Sequence, residues 1–341
     1  MRLPGPAVAG GVVELVTGAD DLDRECRYWE SFGFEVTEVG VLEGDRALEV
    51  YGWGSAVESS RLRHRRSGHG GVRLMHWERQ RGPGLGLAPL KALGSVWGSS
   101  MARLARVMVH AALAKSQGME LALVEPVIQQ IYPSGDPPAA FGGSWPCVLE
   151  MAVLRPCARH VLFERVDYCL SGYGAPDRSS PMRASQLTHV GLTVGLEQLE
   201  AIDFYEAALG LRRMTPAGGA TRYGFGHPGP QKMFDLDEGE SYLAVDFDDP
   251  RSTPSRPISG RLKVILLDSK RPLDFRLERH LGCLGPVAPA WPCEDPKVLA
   301  GRAVSMGATQ LGEGTDEFGR HSAALQAPDG TVFLLCSPGR P

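Results

Sequence analysis

One unit recurs along this chain: an alternating strand, a helix stopped by glycine, and a strand that resumes at once. Its clearest copy is "THVGLTVGLEQLEAIDFYEAALGLRRM" at 188–214. His189, Gly191 and Thr193 fall on one face of the strand, Val190, Leu192 and Val194 on the other, which is the two-residue period of a half-buried strand. An amphipathic helix follows and ends at Gly210. "GVVELVTGADDLDRECRYWESFGFEVTEV" at 11–39 repeats the layout, with Asp20 or Asp21 as N-cap and Gly33 as the stop. Aligning Tyr28 with Tyr205 also brings Gly33 onto Gly210 and Phe34 onto Leu211. A third copy at 285–311 starts its helix at Asp295-Pro296, where proline sacrifices no intrahelical hydrogen bond, and stops at Gly307. A fourth, at 93–126, stops at Gly118.

Further strand candidates follow each copy in turn: "RALEVYGWG", "RLRHRR" and "GVRLMHWE"; "VLEMAVLR" and "RHVLFERV"; "TRYGFGH", "SYLAVDF" and "RLKVILLD"; "HSAALQAP" and "TVFLLCS". The chain therefore reads as an α+β protein, βαβββ taken four times. Neighbouring units are expected to pair, giving an N-terminal domain (1–170), a Gly/Pro/Ser-rich linker (171–186) and a C-terminal domain (187–341). The Pro-rich stretch 248–260 reads as a hairpin loop, and 132–146 as a long loop over a pocket mouth.

Composition narrows the function. A net charge of -4 excludes a basic nucleic-acid-tracking surface, and the run Arg61, Arg63, Arg65, Arg66 reads as a solvated strand or loop. Seven cysteines without a CxxC pair fit reduced thiols rather than a disulfide framework or zinc cluster. No apolar run reaches the length of a membrane span, and the N-terminus lacks the features of a signal peptide, so a cytoplasmic location is expected.

The "FYEAALGL" helix end, the "LAGRAVSMGATQL" helix and the terminal "APDGTVFLL" hairpin together resemble the vicinal oxygen chelate superfamily, which includes glyoxalase I, bleomycin-resistance proteins and extradiol dioxygenases. The resemblance covers 187–214 and 295–335 best, then 11–39, and least well 93–170. It implies four βαβββ modules paired into two cup-shaped half-barrel domains. It also implies a divalent ion inside a cup, held by His or Gln on the first strands and Glu on the last. His189 matches the first position. Ala288 and Leu334 stand where further ligands belong, and neither Val264 nor Ile265 supplies one. One imidazole does not hold a catalytic ion. No cofactor is therefore expected, the alternative being one divalent metal ion on His189 or Glu14.

Glu14 shares the inward face of its strand and is the other candidate catalytic residue beside His189. His76, Trp77, Glu150, Tyr132 and His321 are candidate substrate contacts; His76 and Glu78 share a strand face, as do His160 and Glu164. The bland reading places those histidines and glutamates on solvent faces of edge strands. Trp29, Trp97 and Trp145 are further candidates for an apolar pocket or for core. The expected activity is metal-independent acid/base chemistry of a lyase, isomerase or cyclase type on a small, largely apolar, even aromatic or polycyclic molecule. There, a carboxylate in an apolar cup would have a raised pKa. The alternatives are a metal-free sequestering protein of the bleomycin-resistance type, or a metal-dependent lyase or dioxygenase with an atypical ligand set. Partners are expected to be a small molecule and, as one option, a second copy in a homodimer.

Overall fold

The computed structural model describes residues 8, 10–130, 146–169, 173–174, 176–214, 221–253, 256 and 258–338. The first module runs β1 (Glu14–Gly18), α1 (Leu22–Ser31), β2 (Phe34–Leu42), α2 (Gly44–Tyr51), β3 (Val57–His64) and β4 (Gly71–Trp77). The second comprises β5 (Val96–Met101), α3 (Leu104–Ser116), β6 (Ala122–Gln130), β7 (Cys147–Arg155) and β8 (Ala158–Val166). The third has β9 (Leu187–Gly195), α4 (Phe204–Ala207), β10 (Arg212–Met214), β11 (Thr221–Gly224), α5 (Pro228–Phe234), β12 (Ser241–Asp248) and β13 (Arg261–Asp268). The fourth has β14 (Gly285–Pro292), α6 (Pro296–Ser305), β15 (Thr309–Thr315), β16 (His321–Gln326) and β17 (Val332–Cys336).

The helix signals hold. Asp21 and Asp295 accept hydrogen bonds from the backbone of Arg24 and Val298, and Gly33, Gly118, Gly210 and Gly307 all adopt positive φ (95, 86, 73 and 97°), the left-handed turn glycine takes without penalty. Two local readings change. The helix after β9 is two 3-10 turns leading into a four-residue α-helix. "RALEVYGWG" is helix α2 rather than a strand: Ala47, Val50 and Tyr51, at helical spacing, are its buried face, and Gly52 ends it at φ 71°.

The module pairing also differs from the expected split at 170/187. β1 pairs antiparallel with β14, so the first and fourth modules share one eight-stranded sheet, in the order β15-β16-β17-β14-β1-β4-β3-β2. β5 pairs antiparallel with β9, so the second and third modules form the other sheet, β10-β12-β13-β9-β5-β8-β7-β6, with β11 on β12. The chain crosses between sheets along 78–95 and returns along 269–284, and these crossings bond to each other: Arg81 N donates to Gly282 O (2.7 Å), Leu284 N to Gly82 O (3.1 Å) and Phe275 N to Leu93 O (2.9 Å). These hydrogen bonds tie the two crossings together within the nested arrangement.

The convex faces and their helices share one core, in which Trp29, Phe32 and Phe34 of the first module meet Val153 and Leu162 of the second sheet. Each concave face has a smaller core of its own. No helix among the described residues is long and apolar enough to cross a membrane.

Candidate functional site

In the first cup, built from the first and fourth modules, helix α2 fills the apolar face, and a cavity of about 280 Å³ opens beside Glu14 and Arg61. Helix α2 drops Ala47, Val50 and Tyr51 onto Val57, Met75, Trp77, Ala290 and Val332. Ala288 and Leu334, where ligands were sought, belong to the same apolar cluster. Glu14 sits at its rim, 3% exposed. Both its oxygens are committed: Arg61 pairs with Oε1, and Arg73 Nε donates to Oε2 at 3.0 Å. Burial pulls the Glu14 carboxyl up, but Arg73 and Arg61 outweigh it and hold it below the ordinary carboxylate value. The expectation of a raised, proton-carrying Glu14 is thus reversed, because two guanidiniums that the sequence pattern did not flag lie against it. Arg61, assigned to a solvated run, is 1% exposed and lies 4.4 Å over the Phe318 ring.

The second cup keeps a cavity of about 130 Å³. Helix α5 packs against β6 and supplies Met233 and Phe234 to the cavity wall. Trp97, Phe234, Tyr242 and Tyr223 form a chain of ring contacts, 5.9, 4.7 and 5.2 Å apart. His189, Glu150, Gln129, Lys263 and Asp246 provide the polar wall. His189 and Glu150 were expected in different domains; the pairing of the second and third modules brings them into one cavity.

The hydrogen bonds of His189 fix its tautomer. Thr188 Oγ1 donates to the Ser99 carbonyl (3.1 Å), so it accepts from His189 Nδ1 (3.0 Å). The proton of the neutral ring is therefore on Nδ1, leaving Nε2 as a free base. Burial, then Lys263, Arg261 and Arg165, push His189 well below its ordinary pKa and keep it neutral. Glu150 shifts the other way: burial raises its pKa, against a smaller pull from Lys263. Gln129 Nε2 donates to Glu150 Oε2, which leaves Oε1 for a proton. A neutral imidazole and a carboxyl whose charged form burial disfavours thus share one cavity, as the base and the acid that a proton transfer needs.

Other expected contacts lie elsewhere. His76 faces away from the first cup and bonds the Ala19 carbonyl (3.1 Å). Trp77 is core, edge-on to Tyr51, and Trp29 is core as well. His321 is on β16, 3.3 Å from Glu313. Tyr132 and Trp145 lie outside the described residues. His160, given a solvent face, is fully buried between Trp29 and Phe32 and bonded to Ser100 Oγ (3.0 Å). Glu164 accepts from the Leu104 amide at the start of α3. The sequence reading missed Lys263, Asp246 and the Tyr223–Tyr242 wall. The available signal was alternation: Tyr242, Ala244 and Asp246 in "SYLAVDFD", and Lys263 with Ile265 in "RLKVILLD", share the cavity face.

No family model matches the sequence, and no curated protein matches it. Solved structures do. Glyoxalase I from Zea mays aligns with a TM-score of 0.51 at 15% identity, over 96% of this chain and 92% of that one. A proposed dioxygenase from Bacillus subtilis subsp. subtilis str. 168 aligns with a TM-score of 0.54 at 11% identity, over 98% and 87%. The chain has the vicinal oxygen chelate fold. The metal associated with that fold does not suit the donors present here. His189, Glu150 and Asp246 share the second cup, but they do not bring three ligand atoms within 4.8 Å of one another, Lys263 stands in the same wall, and Glu14 is saturated by its arginines. Among the described residues, the one trio of close ligand atoms is Asp20, Glu25 and Cys157 at the start of α1, where Arg24 and Arg155 pair the two acids.

Proposed function

We propose that the second cup of this vicinal oxygen chelate fold binds a small oxygenated molecule and moves a proton on it without a metal, in an isomerase- or lyase-type reaction. His189 Nε2 accepts the proton from carbon and Glu150 returns one to carbon or oxygen. The observation that carries this reading is the convergence of a base-form imidazole and a protonation-prone carboxyl in one cavity. The cavity, about 130 Å³ with a mixed polar and aromatic wall, favours a molecule of few atoms over a polycyclic one. A cytoplasmic setting accords with seven unpaired cysteines.

The test is deuterium exchange in D2O, followed by NMR, for a panel of small carbonyl compounds. Wild type is expected to exchange the hydrogen next to the carbonyl. His189→Gln and Glu150→Gln should each slow this by about a hundredfold or more, the usual weight of a general acid or base. Exchange undiminished in both variants sinks the reading. Binding without exchange replaces it with sequestration.

A further inference from the structure

We propose that Lys263 makes the second cup selective for a small carboxylate carrying a hydroxyl or carbonyl oxygen on the adjacent carbon. The inference rests on the cavity assigned above and adds the class of substrate. Strand register places Lys263 at the centre of one row across the concave face: Asp246 on β12, Lys263 on β13, Gly191 on β9 and Trp97 on β5. Gly191 contributes no side chain, and a Cβ there would lie 2.0 Å from Trp97 Cε2, so the indole closes over that strand, and Trp97 and Lys263 both line the cavity.

The charges in this row are unevenly matched. Asp246 Oδ2 is taken by Arg261 Nη1 (3.1 Å). Asp246 and Glu150 both act on Lys263 electrostatically, yet no carboxylate among the described residues forms an ion pair with it within 4 Å. A cation on a cavity wall without a bonded counter-ion fits an anionic oxygen from the ligand. Asp246 Oδ1 is buried with no hydrogen-bond partner. An orphaned acceptor in the same wall calls for a donor, which a hydroxyl on the adjacent carbon supplies. Arg165, one of the charges acting on His189, also lines a separate cleft of about 570 Å³ with Arg103, Arg178 and Arg183, against the one acid Glu164. Such a surface raises the local concentration of a small anion.

The test uses the full chain and matched probes, lactate and pyruvate against the neutral lactamide and pyruvamide, titrated by calorimetry. Wild type is expected to bind each acid about tenfold or more tightly than its amide, the discrimination of one charge-assisted hydrogen bond. Lys263→Arg should keep the preference. Lys263→Met and the more conservative Lys263→Gln, checked for native folding by near-ultraviolet circular dichroism, should lose it. Equal binding of acid and amide to wild type, a preference that survives in both neutral variants, or no binding of any probe overturns the inference. If His189-dependent exchange persists on amides with no preference for acids, this inference falls and the proton-transfer reading stands. Lysine-dependent selectivity without exchange has the opposite meaning.

Discussion

Replacing Glu14 by Gln should destabilise the protein without touching the reaction. The substitution keeps the side-chain volume and removes one charge between two guanidiniums that are 1% and 0% exposed. Breaking a buried pair from one side costs about 3–5 kcal/mol. Here the remaining acids soften the loss. Arg61 retains Glu38 at 3.2 Å, and Arg73 retains Asp316 at 3.5 Å, Glu317 at 3.7 Å and the Tyr51 hydroxyl at 3.1 Å. The lower end, about 3 kcal/mol, is therefore expected at neutral pH. For a unit of this size that is roughly 6–12 °C in the unfolding midpoint. The pH dependence provides a second check. The folded pKa of Glu14 lies below its ordinary 4.5, so its contribution is complete above that value and is lost as pH falls through the folded one. The gap between wild type and Glu14→Gln should therefore be full at pH 7 and narrow below pH 4.5. Unfolding should be followed by calorimetry at several pH values, beside the exchange assay at neutrality. A variant as stable as wild type but catalytically dead would refute the structural role and return Glu14 to the chemistry.

Gly191→Ala should cost about 1–3 kcal/mol by overpacking, because the new Cβ meets Trp97 at 2.0 Å while Phe234 backs the same indole; it should also abolish probe binding, and an unaltered midpoint with intact binding would show that the row can yield. His160 is held neutral by burial, its pKa pulled down to about 3 from 6.5. The unfolded chain takes up this proton first, so its contribution is complete above about pH 6.5 and is lost as pH falls toward 3, at about 1.4 kcal/mol per pH unit. His160→Gln should flatten the acid limb of the stability profile by that slope, and an unchanged slope would refute the assignment.

The modules were legible because their punctuation is local. A glycine in left-handed geometry and an aspartate accepting from the third residue on are decided by short-range sterics and hydrogen bonding, so Gly33, Gly307, Asp21 and Asp295 could be read directly. Module pairing could not, because each first strand offers the same edge to any partner. That choice hid the site: Glu150 and His189 become neighbours only when β5 pairs with β9. Arg61 and Arg73 were missed for a different reason. Arginine is seldom buried, so a buried arginine pair around Glu14 runs against the prior that exposes them. Helix α2 was misread because Val50 and Tyr51 favour strands in isolation, whereas the cup needs their helical face.

The nested pairing has a consequence for how the chain is made. All strands of the second sheet lie between Val96 and Asp268, so that sheet is complete in sequence well before the first. β1 emerges from the ribosome early, but its antiparallel partner β14 begins only at Gly285. During synthesis the first module must wait with one edge of β1 unpaired while the inner sheet closes, a period in which a bare strand edge is open to wrong partners. Truncation before residue 285 should therefore leave the inner sheet intact and strand the outer one, whereas a cut near 170 divides both sheets at once.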